Sequence, residues 1–311
     1  MISSLLLALV AALAQDQDRG PLDAHSSTIY QLATTDFIPN LPRSLKAGEI
    51  ELSTHADWSS TFTQSPSLNY YETFHSRTAL WLGIDDRMTV GVSQSVLGVG
   101  GGYMAHFINN FHETFGISSK RGEYPENKFL AQSYEHGPTM QLPARWFVGD
   151  LMLTLHCKIV EEDGYGLFFG SQYQLPTGGE TCYYKHRGFG VGNYLYGYVD
   201  ITEDLRLFAG GDFAYIGRGE VLWHELRPFQ ASVLVGADLR LVSWVSLITQ
   251  LTAASGAARW ESFSSWTWEA QLGFRFKLSD RVAFEFAATE NVVNFDNSAD
   301  FGLHTGLSVR F

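Results

Sequence analysis

Residues 302–311, GLHTGLSVRF, end the chain on an aromatic residue and alternate along their whole length. Side chains of an extended strand point to opposite faces in turn, so Leu303, Thr305, Leu307, Val309 and Phe311 share one side. Gly302, His304, Gly306, Ser308 and Arg310 share the other. An edge strand of a water-soluble sheet and the closing strand of a barrel in lipid both read this way, and the rest of the chain decides.

The same alternation recurs upstream. In EIELSTHADW, residues 49–58, Ile50, Leu52, Thr54, Ala56 and Trp58 oppose Glu49, Glu51, Ser53, His55 and Asp57. Leu151, Leu153, Leu155, Cys157 and Ile159 oppose Met152, Thr154, His156 and Lys158. Trp266, Trp268, Ala270, Leu272, Phe274 and Phe276 oppose Thr267, Glu269, Gln271, Arg275 and Lys277. About twelve such segments of about ten to fourteen residues run from residue 48 to 311. That length suits tilted membrane-spanning strands rather than the five or six residues usual in a sandwich.

The connections alternate as well. IDDR, EEDG, TEDL, RLVS and LSDR (84–87, 161–164, 202–205, 240–243 and 278–281) follow the even-numbered segments, whereas long loops follow the odd ones. Short turns on one side and long loops on the other are the pattern of an outer-membrane barrel, the short side periplasmic. The expected fold class is all-β, a transmembrane antiparallel up-and-down barrel of about twelve strands. Phe311 is then the residue the barrel-assembly machinery reads, and bilayer lipid and lipopolysaccharide are the surroundings.

Composition agrees. Of 311 residues 45% are hydrophobic and 17% charged, with 30 Gly, 22 Phe, 14 Tyr and 8 Trp, a mixture of aromatic-rich strands and turns. The net charge of −12 comes without a basic run, which excludes a nucleic-acid partner. The first 14 residues, MISSLLLALVAALA, form a short apolar run ending small-x-small, so a signal peptide cleaved after Ala14 is expected. Residues 15–47 read as an irregular lead-in, and 48–311 as the barrel. Two cysteines, Cys157 and Cys182, make no disulfide framework, and no spacing announces a metal or cofactor.

One loop, 98–147, stands apart. Its YMAHFINNFHETFG places Met104, Phe107, Ile108, Phe111 and Phe115 at helical spacing before Gly116, predicting an amphipathic helix. The helix is a candidate plug or gate, a surface element, or a cap over rim residues. FINNFHETFGI (107–117) with Arg121, QLPTGG (174–179) and the closing strand resemble a family of bacterial proteins of unknown function. The resemblance spans roughly residues 37–311 and implies an outer-membrane barrel, with no activity or ligand attached.

Enzyme chemistry finds little support. His75 and Ser76 are adjacent and face opposite ways, while His304 and Ser308 share a face about 13 Å apart. His106, His112 and Glu113 lack the i, i+4 histidine spacing of a zinc site. The inward face carries acidic and basic groups in equal number, among them Arg77, Arg87, Asp212, Glu269, Arg275 and Glu285, beside a stripe of Tyr194, Tyr196 and Tyr198. A balanced lumen either passes small solutes with little charge preference or is laced shut by ion pairs. The expected role is a small passive channel for small solutes. A closed structural or assembly barrel with a partner-binding loop is the alternative, and a lipid-modifying enzyme the third.

Overall fold

The computed structural model describes residues 19–24, 28–32, 44–63, 68–102, 104–116, 128–132, 138–179, 183–260, 263–293 and 297–311. The expected signal peptide 1–14 and Cys182 lie outside them. In chain order the elements are α1 (Ile29–Leu32), β1 (Ile50–Thr63), β2 (Asn69–Gly83), β3 (Met88–Gly100), α2 (Met104–Phe115), β4 (Leu130–Gln132) and β5 (Thr139–Gln141). They continue with β6 (Arg145–Glu162), β7 (Tyr165–Leu175), β8 (Lys185–Asp200), β9 (Leu205–Val221) and β10 (His224–Glu225). The last five are β11 (Phe229–Val242), β12 (Val245–Ala254), β13 (Thr267–Ser279), β14 (Val282–Asn291) and β15 (Phe301–Arg310).

Twelve of the strands form one antiparallel ring. Neighbours pair in the order β1, β15, β14, β13, β12, β11, β9, β8, β7, β6, β3, β2, and β2 returns to β1. The closing ladder runs from Glu51↔Arg310 to Ser60↔Phe301. β4, β5 and β10 are short additions at the long-loop end. Closure removes the unpaired edge that an open sheet would present to lipid. The helical loop is shorter than its predicted 98–147, because β3 continues to Gly100 and β6 begins at Arg145.

The ring is built inside out relative to a soluble protein. On β1 the exposed positions include Ile50 and Leu52, and the buried ones include Glu51, Ser53, His55 and Asp57. Leu80, Leu195, Val235, Leu272 and Phe286 continue the apolar exterior. Trp244 stands exposed at the short-turn end, and Trp146 and Trp266 at the other, as interfacial girdles require. No described helix is long and apolar enough to cross a membrane.

This orientation has a measurable consequence. Leu272, 56% exposed near the middle of β13, faces lipid. Leu272→Arg is expected to destabilise the folded barrel by about 2–4 kcal/mol, read from urea unfolding in lipid vesicles. An effect below about 0.5 kcal/mol, the ordinary size for a water-facing surface position, would place Leu272 in water.

Candidate functional site

Polar side chains of the lumen converge on a segment that does not belong to the wall. Residues 19–24, RGPLDA, run inside the barrel from the short-turn end toward its middle. Arg19 anchors the lower end: its guanidinium donates to the carbonyls of Glu203 (3.0 Å), Asp204 (2.7 Å) and Asp238 (2.9 Å). The Asp238 carboxylate accepts from Gly20 N at 2.9 Å. Gln250 then treats Leu22 as a strand neighbour would, accepting from its N–H at 2.8 Å and donating to its carbonyl at 3.3 Å. Arg275 donates to the carbonyls of Gly20 (3.1 Å) and Pro21 (2.6 Å), and Gln271 to that of Ala24 (3.5 Å). An extended segment needs such partners, because a buried backbone amide left unpaired costs about 1–3 kcal/mol.

Apolar packing fills the remaining side. Leu22 and Ala24 are fully buried with Phe168, Tyr196, Phe208, Leu234, Ile248 and Ala287. Glycines on the wall make room for the rings: a Cβ at Gly170 would run into Tyr194, its cross-strand partner. Tyr194 and Tyr196 therefore line an interior that is occupied, and Tyr198 carries the Arg206 guanidinium 3.7 Å above its ring.

Residues 28–32 lie at the long-loop end. There Gln31 donates to Thr267 Oγ1 at 2.9 Å, and the Tyr30 ring packs tilted, its centroid 4.1 Å from that of Phe263, within a cluster containing Tyr71, Phe129, Tyr183, Leu222 and Trp260. Burial, and next the nearby Tyr71, pushes the Tyr30 phenol well above the ordinary tyrosine range. Leu222 and Trp223 of this cap adopt positive φ angles of 45° and 70°, a strained two-residue turn that the burial of Leu222 holds in place.

Among the residues singled out from the sequence, Arg77, Tyr194, Tyr196, Glu269, Arg275 and Glu285 are buried inside, and Asp212 bonds Ser232 there. Arg87 is not in the lumen. β3 starts one residue later, and Arg87 is exposed in the 84–87 turn, where strand alternation has no force. In α2, Met104 and Ile108 are buried, Phe107 is 54% exposed beside Phe301, and the Phe111 and Phe115 side chains lie outside the description. The helix is tied to the rim by Ala105 N donating to Glu72 Oε1 at 3.0 Å. Phe111 and Phe115 aside, its contacts run to the wall's edge, whereas the lumen itself is filled by residues 19–24. Phe111 and Phe115 carry no part of that description. Phe311, 67% exposed, donates its N–H to Ile50 O at 2.9 Å and so completes the β1–β15 seam.

His75, considered above with Ser76, meets Ser95 instead, Nε2 to Oγ at 3.0 Å. Asp57 Oδ2 stands 3.9 Å from His75 Nδ1, and its other oxygen is engaged by His304 at 2.8 Å. The hydrogen bond of Asp57 that is at full strength goes to His304.

Sequence reasoning missed the plug because nothing in RGPLDA repeats. Its nearest signal is the mid-barrel row of inward amides, Gln250 and Gln271, which have no charge to balance and serve a backbone.

The fold is shared with known channels. A crystal structure of the COG4313 outer membrane channel from Pseudomonas putida F1 superposes with a TM-score of 0.63 at 13% identity, covering 89% of this chain and 100% of that one. The NanC porin superposes less well, with a TM-score of 0.47 at 11% identity over 85% of this chain and 99% of that one. No curated protein matches the sequence. Residues 1–311 match the family described as protein of unknown function (DUF3187), and the chain belongs to that family.

Proposed function

We propose that the protein is a passive outer-membrane channel for small hydrophilic or mildly amphipathic solutes, held shut by its own N-terminal segment. One observation carries the reading: Asp238, Gln250, Gln271 and Arg275 hydrogen-bond the backbone of residues 19–24, which the barrel ladder does not use. Gln250 and Gln271 also meet each other, and Arg275 also reaches Glu285 and Asp238, but a barrel closed for strength alone would not turn further donors and acceptors of these groups toward a backbone outside the wall. The fold shared with the Pseudomonas channel supports the same reading. Signal cleavage after Ala14 would leave a mature chain in which four residues precede Arg19. Lipid, lipopolysaccharide and the assembly machinery are the partners this placement implies, with Phe311 as the assembly signal.

A structural role is the second reading, favoured by the wall-to-wall pairs Arg206–Asp200 at 2.7 Å and Arg310–Glu51 at 2.9 Å. Osmotic swelling of vesicles carrying the full chain or the chain without residues 15–32 separates the two. Graded neutral sugars are expected to enter through the shortened chain with a sharp size limit and to be held back by the intact one. Vesicles that exclude every solute, whether the chain is intact or lacks its plug, would favour the structural barrel.

A further inference from the structure

We propose that the lumen contains a divalent transition-metal site made by His55, His304 and Glu285. The three come from adjacent strands: His55 and Glu285 both lie opposite Gly306 in the ladders, and His304 precedes Gly306 by two on the same face. Their donor atoms lie within 4.8 Å of one another, and all three residues are buried. Gly306 opens the space between them, for a Cβ there would stand 2.7 Å from His55 Nδ1 and 3.4 Å from His304 Nε2.

Each histidine has one nitrogen fixed and one turned to that space. Asp57 holds His304 Nδ1 at 2.8 Å, and Asp23 of the plug stands 3.2 Å from His55 Nε2. His55 Nδ1 and His304 Nε2 are buried and make no hydrogen bond. His304 Nε2 is 3.5 Å from Glu285 Oε2, while Glu285 Oε1 accepts from Arg275 at 2.7 Å. A carboxylate on the far nitrogen of a ligating histidine fixes its ring and raises its basicity, and here both candidates have one. Tetrahedral bonds of about 2.0–2.1 Å put ligand atoms about 3.3 Å apart, so binding draws the three inward. Two imidazoles and a carboxylate suit zinc and its neighbours, with a further position for water.

The surroundings fit a cation. Asp23, Asp57 and Glu285 outnumber Arg77 and Arg275. A small cavity lined by Asp23, Glu51, His55, Trp81 and Thr89 lies beside His55. Because Asp23 belongs to the plug, a bound ion also ties the plug to the wall.

The test is zinc titration of the refolded full chain against a chromophoric chelator, with cobalt absorption as a second readout. One ion per chain is expected. Glu285→Gln is expected to weaken it roughly 100-fold and Asp57→Asn roughly tenfold. Gly306→Ala keeps every ligand but fills the space, so it should abolish binding while the barrel keeps its heat-modifiable gel mobility. Affinity unchanged in Glu285→Gln and Gly306→Ala, or no binding to the intact chain, overturns the proposal; His304 would then serve only to position Asp57. Binding is read directly, so the result stands whether or not the lumen conducts.

Discussion

A chain refolded without residues 15–32 is expected to conduct at least roughly tenfold better than the intact protein in planar bilayers. An eight-strand barrel is filled by its own side chains, and sixteen strands leave an aqueous channel, so twelve lie where an added segment decides. Here the segment occupies the middle of the lumen: Leu22 fills the space before Phe168, Tyr196 and Phe208, and Arg19 and Asp23 hold opposite sides of the wall. The ladders from β1 to β15 do not use residues 19–24 or 28–32, so the ring survives their loss. Wall groups deprived of the plug backbone gain water in its place, which keeps the cost modest. Steps in the shortened protein with silence or brief openings in the intact one would establish the plug. Silence in both would mean that Arg275, Glu285 and their neighbours close the lumen unaided, and the channel reading would fall.

The difference between what the sequence announced and what it concealed follows from periodicity. Leu303, Leu307 and Val309 announce a strand because the pleat repeats every two residues, and IDDR or LSDR announces a turn because the chain must reverse within it. The twelve strands and the parity of their connections were legible for that reason. The helix over 104–115 was legible from its 3.6-residue period, but its docking on Glu72 was not, since one hydrogen bond to a distant carboxylate leaves no pattern. Arg19 to Leu22 obeys no period at all. Its conformation is dictated by Asp238 and Gln250, 219 and 228 residues away, and a Gly-Pro pair reads locally as a loop whatever it later meets. His55, Glu285 and His304 are separated in the same way: only the ring closure of β1 on β15 brings the first beside the other two.

Arg275→Ala is expected to cost the intact barrel about 3–5 kcal/mol, because it strips one member from a buried ion cluster and leaves the rest. The guanidinium is 3% exposed; it donates to Glu285 at 2.7 Å, to Asp238 at 3.4 Å and to two plug carbonyls. Arg19 still pairs with Asp238 at 3.4 Å after the change, so the larger share of the loss falls on Glu285 and on the carbonyls of Gly20 and Pro21. Arg275→Lys should recover only part, since a point charge cannot serve both carboxylates and both carbonyls as a fork does. The same substitution in the chain lacking residues 15–32 should cost about 1 kcal/mol or less, for water then reaches the cluster and screens it as at a surface. The difference, about 2–4 kcal/mol, is the coupling between wall and plug, obtained from a double-mutant cycle of urea unfolding in vesicles. Equal costs in both backgrounds would assign Arg275 to the wall alone. A smaller cost without the plug means that the same buried charges that hold the barrel together also hold its gate, so that any agent able to hydrate them weakens the closed state first.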